Sequence, residues 1–399
     1  MKIPTAEGRA SEHRPDAMPA PGVRRLLLVT PVPPANVSSG AGQRTALMLE
    51  ALEGCGTVDV LHLMPGKTIE VRNPDNDSCL PGGGVLVEAF APEKAIIGRY
   101  RPQARLTRAV ETALGRELGD YDTVVGRYAW GVCQLEIPAG VRVVADLDDF
   151  RYRYSGQASW SLATCKERAR KWLAHVLQRR QLARFDSVFF VSPLDRDEQS
   201  GTRSVLLPNI PFAIPEDLPA GKIPSKEILF VGSLWYRPNA EGVDWFLRHA
   251  WPRVRAEVPE ATLTLVGAAP SATRAAWAAH SGVQAPGFVD DLAKAYADAA
   301  LVIAPIHSGG GTNIKVLEAI AHAKPCLISG FTHAALRNLV SGLESVLVAD
   351  DAKNFAACCI RVLNEAPSYS EKALQAKAEI SIKLGREAFF ELVRKSMSA

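Results

Sequence analysis

The chain is read as an α/β protein of two doubly wound, parallel-sheet domains, and three observations predict this. Short apolar and β-branched runs alternate with longer stretches of helical spacing along most of the sequence. The alternation breaks once, around PNIPFAIPEDLPAGKIPSKE, where proline and polar residues take over before it resumes. A chain of 399 residues also exceeds what one growing hydrophobic core accommodates. Residues 1–22, rich in Pro, Ala and charge and without an apolar run, are expected to form a disordered tail. Residues 23–212 are then the N-terminal domain, 213–225 the linker and 226–370 the C-terminal domain, with 371–399 a helix returning towards the N-terminal half.

The order of elements follows from local signals. RRLLLVTPVPP is a first strand stopped by prolines, and SSGAGQRTALMLEALEGCG is a glycine turn passing into a helix that ends at glycine. VDVLHLM, YDTVVGR, VRVVADLDD and SVFFVSP are further strands, separated by helical stretches such as RLTRAVETALGREL and CKERARKWLAHVLQRRQLARF. Beyond the linker KEILFVGS, TLTLVGA, LVIAPIH and PCLIS are strands each followed by a helix, and ESVLVAD is the last. Buried parallel strands read as such continuous apolar runs because helices cover both faces of the sheet. Two Rossmann-like halves result, without an internal sequence repeat. Ligands of these sheets sit beyond the carboxyl ends of the strands, which places the site in the cleft between the halves.

Composition excludes several classes. A formal charge of +3 is too small for a protein that works by neutralising a nucleic-acid backbone, so no nucleic-acid partner is expected. Cys55, Cys79, Cys133, Cys165, Cys326, Cys358 and Cys359 have no paired metal-ligand spacing, which favours free thiols in a reducing compartment. No apolar stretch approaches the roughly 20 residues of a membrane span. The expected place is the cytoplasm, at most at the inner face of a membrane.

One stretch concentrates chemistry. In HSGGGTNIKVLEAIAHAKP (307–325), apolar Ile314, Val316, Leu317, Ile320 and Ala321 have helical spacing, so the glycines form a strand-to-helix turn with helix entry at Thr312 or Asn313. Backbone N–H groups of Gly310, Gly311, Thr312 and Asn313 then point into the cleft beside the positive end of the helix dipole, an arrangement that binds phosphate. Lys315 adds a full charge in the first turn, and Glu318, three residues on, presents a carboxylate suited to the vicinal hydroxyls of a ribose. Phosphate and sugar-hydroxyl recognition side by side indicates a nucleotide. The stretch matches neither G-x-x-x-x-G-K-[ST] nor G-x-G-x-x-G. The bland alternative is a tight connection with a surface Lys315–Glu318 pair.

FVGSLWYRPNAEGVDWFL, LTLVGAAP and APGFVDDLAKAYADAALVIAPIHSGGGTNIKVLEAIAHAKPCLIS, in that order, resemble the C-terminal half of a family-4 glycosyltransferase of GT-B fold. The resemblance is closest to bacterial sugar transferases of the "glycosyl transferases group 1" type with P-x-N after the first strand and GGGT-x-x-K-x-L-E-A at the donor site. It covers residues 226 to about 350 well, and is weaker over 23–212. It implies that Gly232 and Ser233 turn near the donor phosphates, that Arg237 and Lys315 are diphosphate cations, that Phe288 and Val289 hold the nucleobase, that Glu318 binds the ribose, and that Gly40 and Gly42 approach the sugar and phosphate. Many members carry a second glutamate where Gly310 stands, and a histidine at the strand end where Asp148 stands, next to Asp149 and near Asp146. An aspartate there can accept from a donor hydroxyl or activate the acceptor, which makes Asp146, Asp148 and Asp149 the candidate catalytic residues. Asp146-Leu147-Asp148 also spells the Asp-x-Asp by which another transferase fold holds a metal, and a helix cap with solvated aspartates is the plain alternative.

The segment CKERARKWLAHVLQRRQLARF (165–185) has Ala169, Trp172, Leu173, Val176 and Leu177 on one side and cations elsewhere, which fits a sheet-covering helix or a peripheral contact with anionic lipid. The expected function is transfer of a sugar from a nucleoside-diphosphate sugar, with UDP or GDP as the nucleotide, to a glycan, lipid-linked or protein acceptor, as in polysaccharide synthesis. No cofactor and no metal is expected, and the resemblance implies retention of configuration. The rival readings are a nucleotide-sugar epimerase of the same fold and a catalytically silent nucleotide-sugar-binding protein.

Overall fold

The computed structural model describes residues 23–36, 39–73, 80, 82–92, 100–148, 150–154, 162–199, 203–211, 215, 225–310 and 312–398. The expected tail, most of the expected linker, Cys79, Asp149 and Gly311 lie outside the described residues.

The strands in chain order are β1 (Arg25–Thr30), β2 (Thr57–Gly66), β3 (Glu70–Arg72), β4 (Leu86–Pro92), β5 (Thr123–Arg127), β6 (Arg142–Leu147), β7 (Arg153–Tyr154), β8 (Ser187–Phe190) and β9 (Ser204–Leu206), then β10 (Glu227–Val231), β11 (Thr262–Val266), β12 (Val283–Gly287), β13 (Leu301–Ala304), β14 (Ser308–Gly309), β15 (Cys326–Ile328) and β16 (Val346–Val348). An eight-stranded sheet runs β3-β4-β2-β1-β5-β6-β8-β9, parallel except where β3 pairs antiparallel with β4. A six-stranded sheet runs β12-β11-β10-β13-β15-β16, parallel throughout. Strand order therefore reverses between β1 and β5 in the first sheet and between β10 and β13 in the second. These are the two switch points at which doubly wound sheets bind ligands.

The central strands are the continuous apolar runs of the sequence. Leu26, Leu27, Leu28 and Val29 of β1 are all buried, because helices cover both sides of the strand. One apolar cluster covers a face of the first sheet and continues through Phe389, Val393 and Met397 into the core of the second. Those three belong to the last helix, Arg386–Ser398, which packs against the first helix, Gly40–Glu53. Arg386 pairs there with Glu50, and Arg24 Nη1 donates to the Met397 carbonyl at 2.8 Å. A second cluster, with Leu61, Val124 and Phe190, fills the other face of the first sheet.

The two halves also meet at the cleft. β7 of the first half pairs antiparallel with β14 of the second, Ser308 opposite Tyr154 and Gly309 opposite Arg153. Tyr152 and Ser308 hydroxyls lie 3.3 Å apart, and Arg337 pairs with Asp197 at 3.1 Å. The glycine turn is thus held by backbone from the opposite domain.

Candidate active site

The floor of the cleft is the β10/β13 switch point. The chain leaves β13, forms β14 and enters the helix Ile314–Ala321 with Asn313 as its N-cap residue. Lys315, one residue into that helix, is 7% exposed, and its Nζ donates to Asn239 Oδ1 at 2.9 Å and to Asn313 Oδ1 at 3.4 Å. The same Nζ lies 5.4 Å from the centre of the Phe230 ring at the end of β10. Gly232 gives the lysine its room: a Cβ there would come within 3.0 Å of Lys315 Cε and Asn239 Nδ2, and its φ of 156° is rarely adopted by other residues. Asn239 is itself fixed, donating Nδ2 to the Ser233 carbonyl at 2.8 Å. Among the described residues no carboxylate lies within ion-pair distance of Lys315. Burial pushes its ammonium down to about 8, against the opposing pull of Glu318.

Glu318 is partly buried one turn further on. Tyr296 donates its hydroxyl to Glu318 Oε2 at 3.4 Å, and His322 stacks on the Tyr296 ring with centroids 4.4 Å apart. Burial raises the Glu318 carboxyl, opposed by Lys315 and the Tyr296 bond. Phe288, just past β12, is 71% exposed, while Val289 beside it packs on the core. His307 packs edge-on against Trp245 with centroids 4.8 Å apart.

The opposite wall comes from the first sheet. Ser39 Oγ accepts from the Gly42 N–H at 3.2 Å and opens the helix Gly40–Glu53. A Cβ on Gly42 would collide with the Asn36 carbonyl, and one on Gly40 would lie 3.5 Å from Ile314 Cγ2. The start of the first helix thus lies beside Ile314, the first residue of the helix that carries Lys315.

Two expectations about charged residues need correction. Asp146 is fully buried, with Arg44 Nη2 at 2.6 Å on Oδ1 and Arg127 Nη1 at 2.6 Å on Oδ2. Burial alone would raise its carboxyl, yet Arg44 and Arg127 outweigh that and hold it low. With both oxygens taken by guanidinium groups and no exposed surface, Asp146 reaches neither a metal nor a substrate. Arg237 is 47% exposed but engaged by two carboxylates, Glu241 at 2.7 Å and Glu167 of the opposite domain at 2.5 Å. As placed, it is an interdomain strut and not a free diphosphate cation.

Asp148, past the end of β6, keeps exposed surface. Asn209 Nδ2 donates to its Oδ1 at 2.9 Å and to Thr312 Oγ1 at 2.8 Å, while Asn209 Oδ1 accepts from Arg44 Nη1 at 2.9 Å. One side chain thus joins the candidate catalytic aspartate, the buried arginine cluster and the donor turn. Arg44, Arg127, Asn209, Asn239 and Tyr296 are absent from the expectations above. Only Asn209, at the start of PNIPFAIPEDLPAGKIPSKE, and Asn239, directly after Pro238 in FVGSLWYRPNAEGVDWFL, stood in stretches that could have flagged them.

Residues 225–365 match the family model described as Glycosyl transferases group 1. An uncharacterized 44.6 kDa protein in the cps region of Klebsiella pneumoniae is 27% identical over 146 residues, 34% of this chain and 37% of that protein. The chain thus spans little more than a third of the relative it matches. Sucrose-phosphate synthase from Thermosynechococcus elongatus superposes with a TM-score of 0.68 at 17% identity, covering 94% of this chain and 99% of the other. Anabaena Alr3699/HepE, solved with UDP and glucose, gives 0.60 at 13% identity, over 94% and 100%. The fold is GT-B, and its C-terminal domain matches the group 1 glycosyltransferases.

Proposed function

We propose that the protein transfers a sugar from a nucleoside-diphosphate sugar to a glycan, lipid-linked or protein acceptor. The observation that carries this is Lys315: a buried ammonium at a helix start, held by two amide oxygens and no carboxylate among the described residues, beside the Gly232 turn at the end of β10. A diphosphate is the ligand that such a group lacks. Lys315 and the N–H groups of residues 310 to 313 take the phosphates, Gly232 and Ser233 border them, Glu318 accepts from the ribose hydroxyls, and Phe288 with Val289 borders the base. Gly40 and Gly42 close over the transferred sugar from the other side.

Charge develops on the leaving diphosphate during transfer, and a preorganised cation with helix N–H groups stabilises it there. These groups supply the positive charge for a metal-independent reaction. Asp148, oriented by Asn209, is the group placed to accept from a sugar or acceptor hydroxyl. UDP is the first nucleotide to try, because Alr3699/HepE was solved with UDP and glucose. The test is a melting-temperature screen against UDP-, GDP-, ADP- and CMP-sugars, followed by product analysis with the one that binds. A shift with a nucleoside-diphosphate sugar and a glycosylated product is expected. No shift at saturating concentration, or an epimerised sugar without transfer, would overturn the reading.

A further inference from the structure

The basic helix, Leu162–Gln181, leaves Ala169, Trp172 and Leu173 of its apolar side exposed, with Val176 and Leu177 half-buried. Trp172 is 63% and Leu173 38% exposed. Exposed Lys166 and Arg170 lie on one side of this pair along the helix, and exposed Arg179, Arg180 and Arg184 on the other. Lys166 and Arg180 are about 21 Å apart at 1.5 Å per residue. Glu167, the helix's one acid, is already occupied by Lys171 at 2.8 Å and by Arg237. Beside Trp172 runs a groove of about 490 Å³ lined by Arg151, His175, Val176, Arg179 and Arg180.

We infer that this face docks on an anionic lipid surface. An apolar pair between two groups of cations, on a helix carrying a strong positive excess, is complementary to an interface where phosphates lie above acyl chains. A soluble anion would use the arginines but leave Trp172 and Leu173 in water. Among the described residues no helix is long and apolar enough to cross a membrane, so the contact is with the surface. Because Glu167 of this helix meets Arg237 of the other domain, docking brings the rim of the cleft down to the headgroups. The inference stands apart from the transfer reaction, since none of these side chains belongs to the donor site.

The test is cosedimentation of the full chain with phosphatidylcholine vesicles, with and without phosphatidylglycerol. Binding is expected to the anionic vesicles alone and to weaken with salt. Replacing both Arg179 and Arg180 by Ala should lower partitioning about 30-fold, and Trp172→Ala should lower it as well, with melting temperature and nucleotide binding unchanged in each variant. No pelleting of the wild type, pelleting that neither substitution weakens, or equally tight binding to a soluble polyanion that Trp172→Ala leaves intact would each overturn it. Nucleotide binding measured on the same samples separates this outcome from failure of the donor site.

Discussion

Both sheets bury cations near the carboxyl ends of their strands, and they do so in opposite ways. In the first sheet Arg44 and Arg127 close on Asp146, and their other guanidinium hydrogens go to the carbonyls of Leu207, Pro208 and Ala41, to Thr45 Oγ1, to Asn209 and, at 3.5 Å, to Asp148 Oδ2. Nothing there is left for a ligand. In the second sheet Lys315 is nearly as buried but has only neutral amide oxygens, and burial depresses its ammonium to about 8. A compensated buried charge holds a fold together, whereas an uncompensated one is an electrostatic cost that a ligand relieves. The comparison assigns structure to the first site and binding to the second.

The strongest way to break the comparison is at the compensated side. Asp146→Asn takes the shared counter-charge from two buried arginines, leaving only the longer Arg127–Asp148 pair, and should cost about 3–5 kcal/mol in chemical denaturation. A loss below about 1 kcal/mol would mean the cluster is not what it is taken to be. Asn209→Ala comes next, because it leaves Asp148 with only the longer Arg127 contact at 3.5 Å and uncouples it from the donor turn; kcat should fall by about tenfold or more while nucleotide affinity stays within about threefold. An equal fall in both would reduce Asn209 to a structural role.

The pH dependence sharpens the binding side. Below about 8 the Lys315 ammonium is already present, whereas above it the free protein must take up a proton to bind a diphosphate. Nucleotide affinity should therefore fall as pH rises through about 8, by up to about tenfold per unit, and Lys315→Arg should flatten that profile even if it binds more weakly. Calorimetry across the range reads both. The smallest effect is expected at the strut: Arg237→Ala should change stability by less than about 1 kcal/mol, because both its pairs are solvent-exposed, and nucleotide affinity by less than about threefold. A tenfold loss of affinity would return Arg237 to the phosphates.

Much of this fold is legible because buried parallel strands are continuous apolar runs. RLLLVT, TLTLV and LVIA stand out for that reason, and the glycine turn before Lys315 is readable from its glycines and the helical spacing after them. The edge strand β16 is still legible as ESVLVAD, but others at the sheet margins are not. LVEAFAP alternates between buried and half-buried residues, VQAPG carries proline, and the two residues of β7 form a strand only because β14 of the other domain pairs with them. The arginine cluster is equally silent, since Arg44, Arg127 and Asp146 come from a helix and two strands far apart in sequence. Of two aspartates two residues apart, one is sealed inside and the other reaches the cleft, a distinction set by where β6 ends. The spacing of the basic helix left a covering face and a surface contact both open, and the structure leaves Trp172 and Leu173 outside.

The most direct test of the account is calorimetric titration of UDP and GDP into the wild type and Lys315→Met at pH 7. One nucleotide is expected to bind the wild type, the substitution to weaken it by at least about tenfold, and the variant to melt no lower than the wild type because an uncompensated buried charge has been removed. Equal affinity in the two proteins, or a variant that loses stability along with binding, would contradict it.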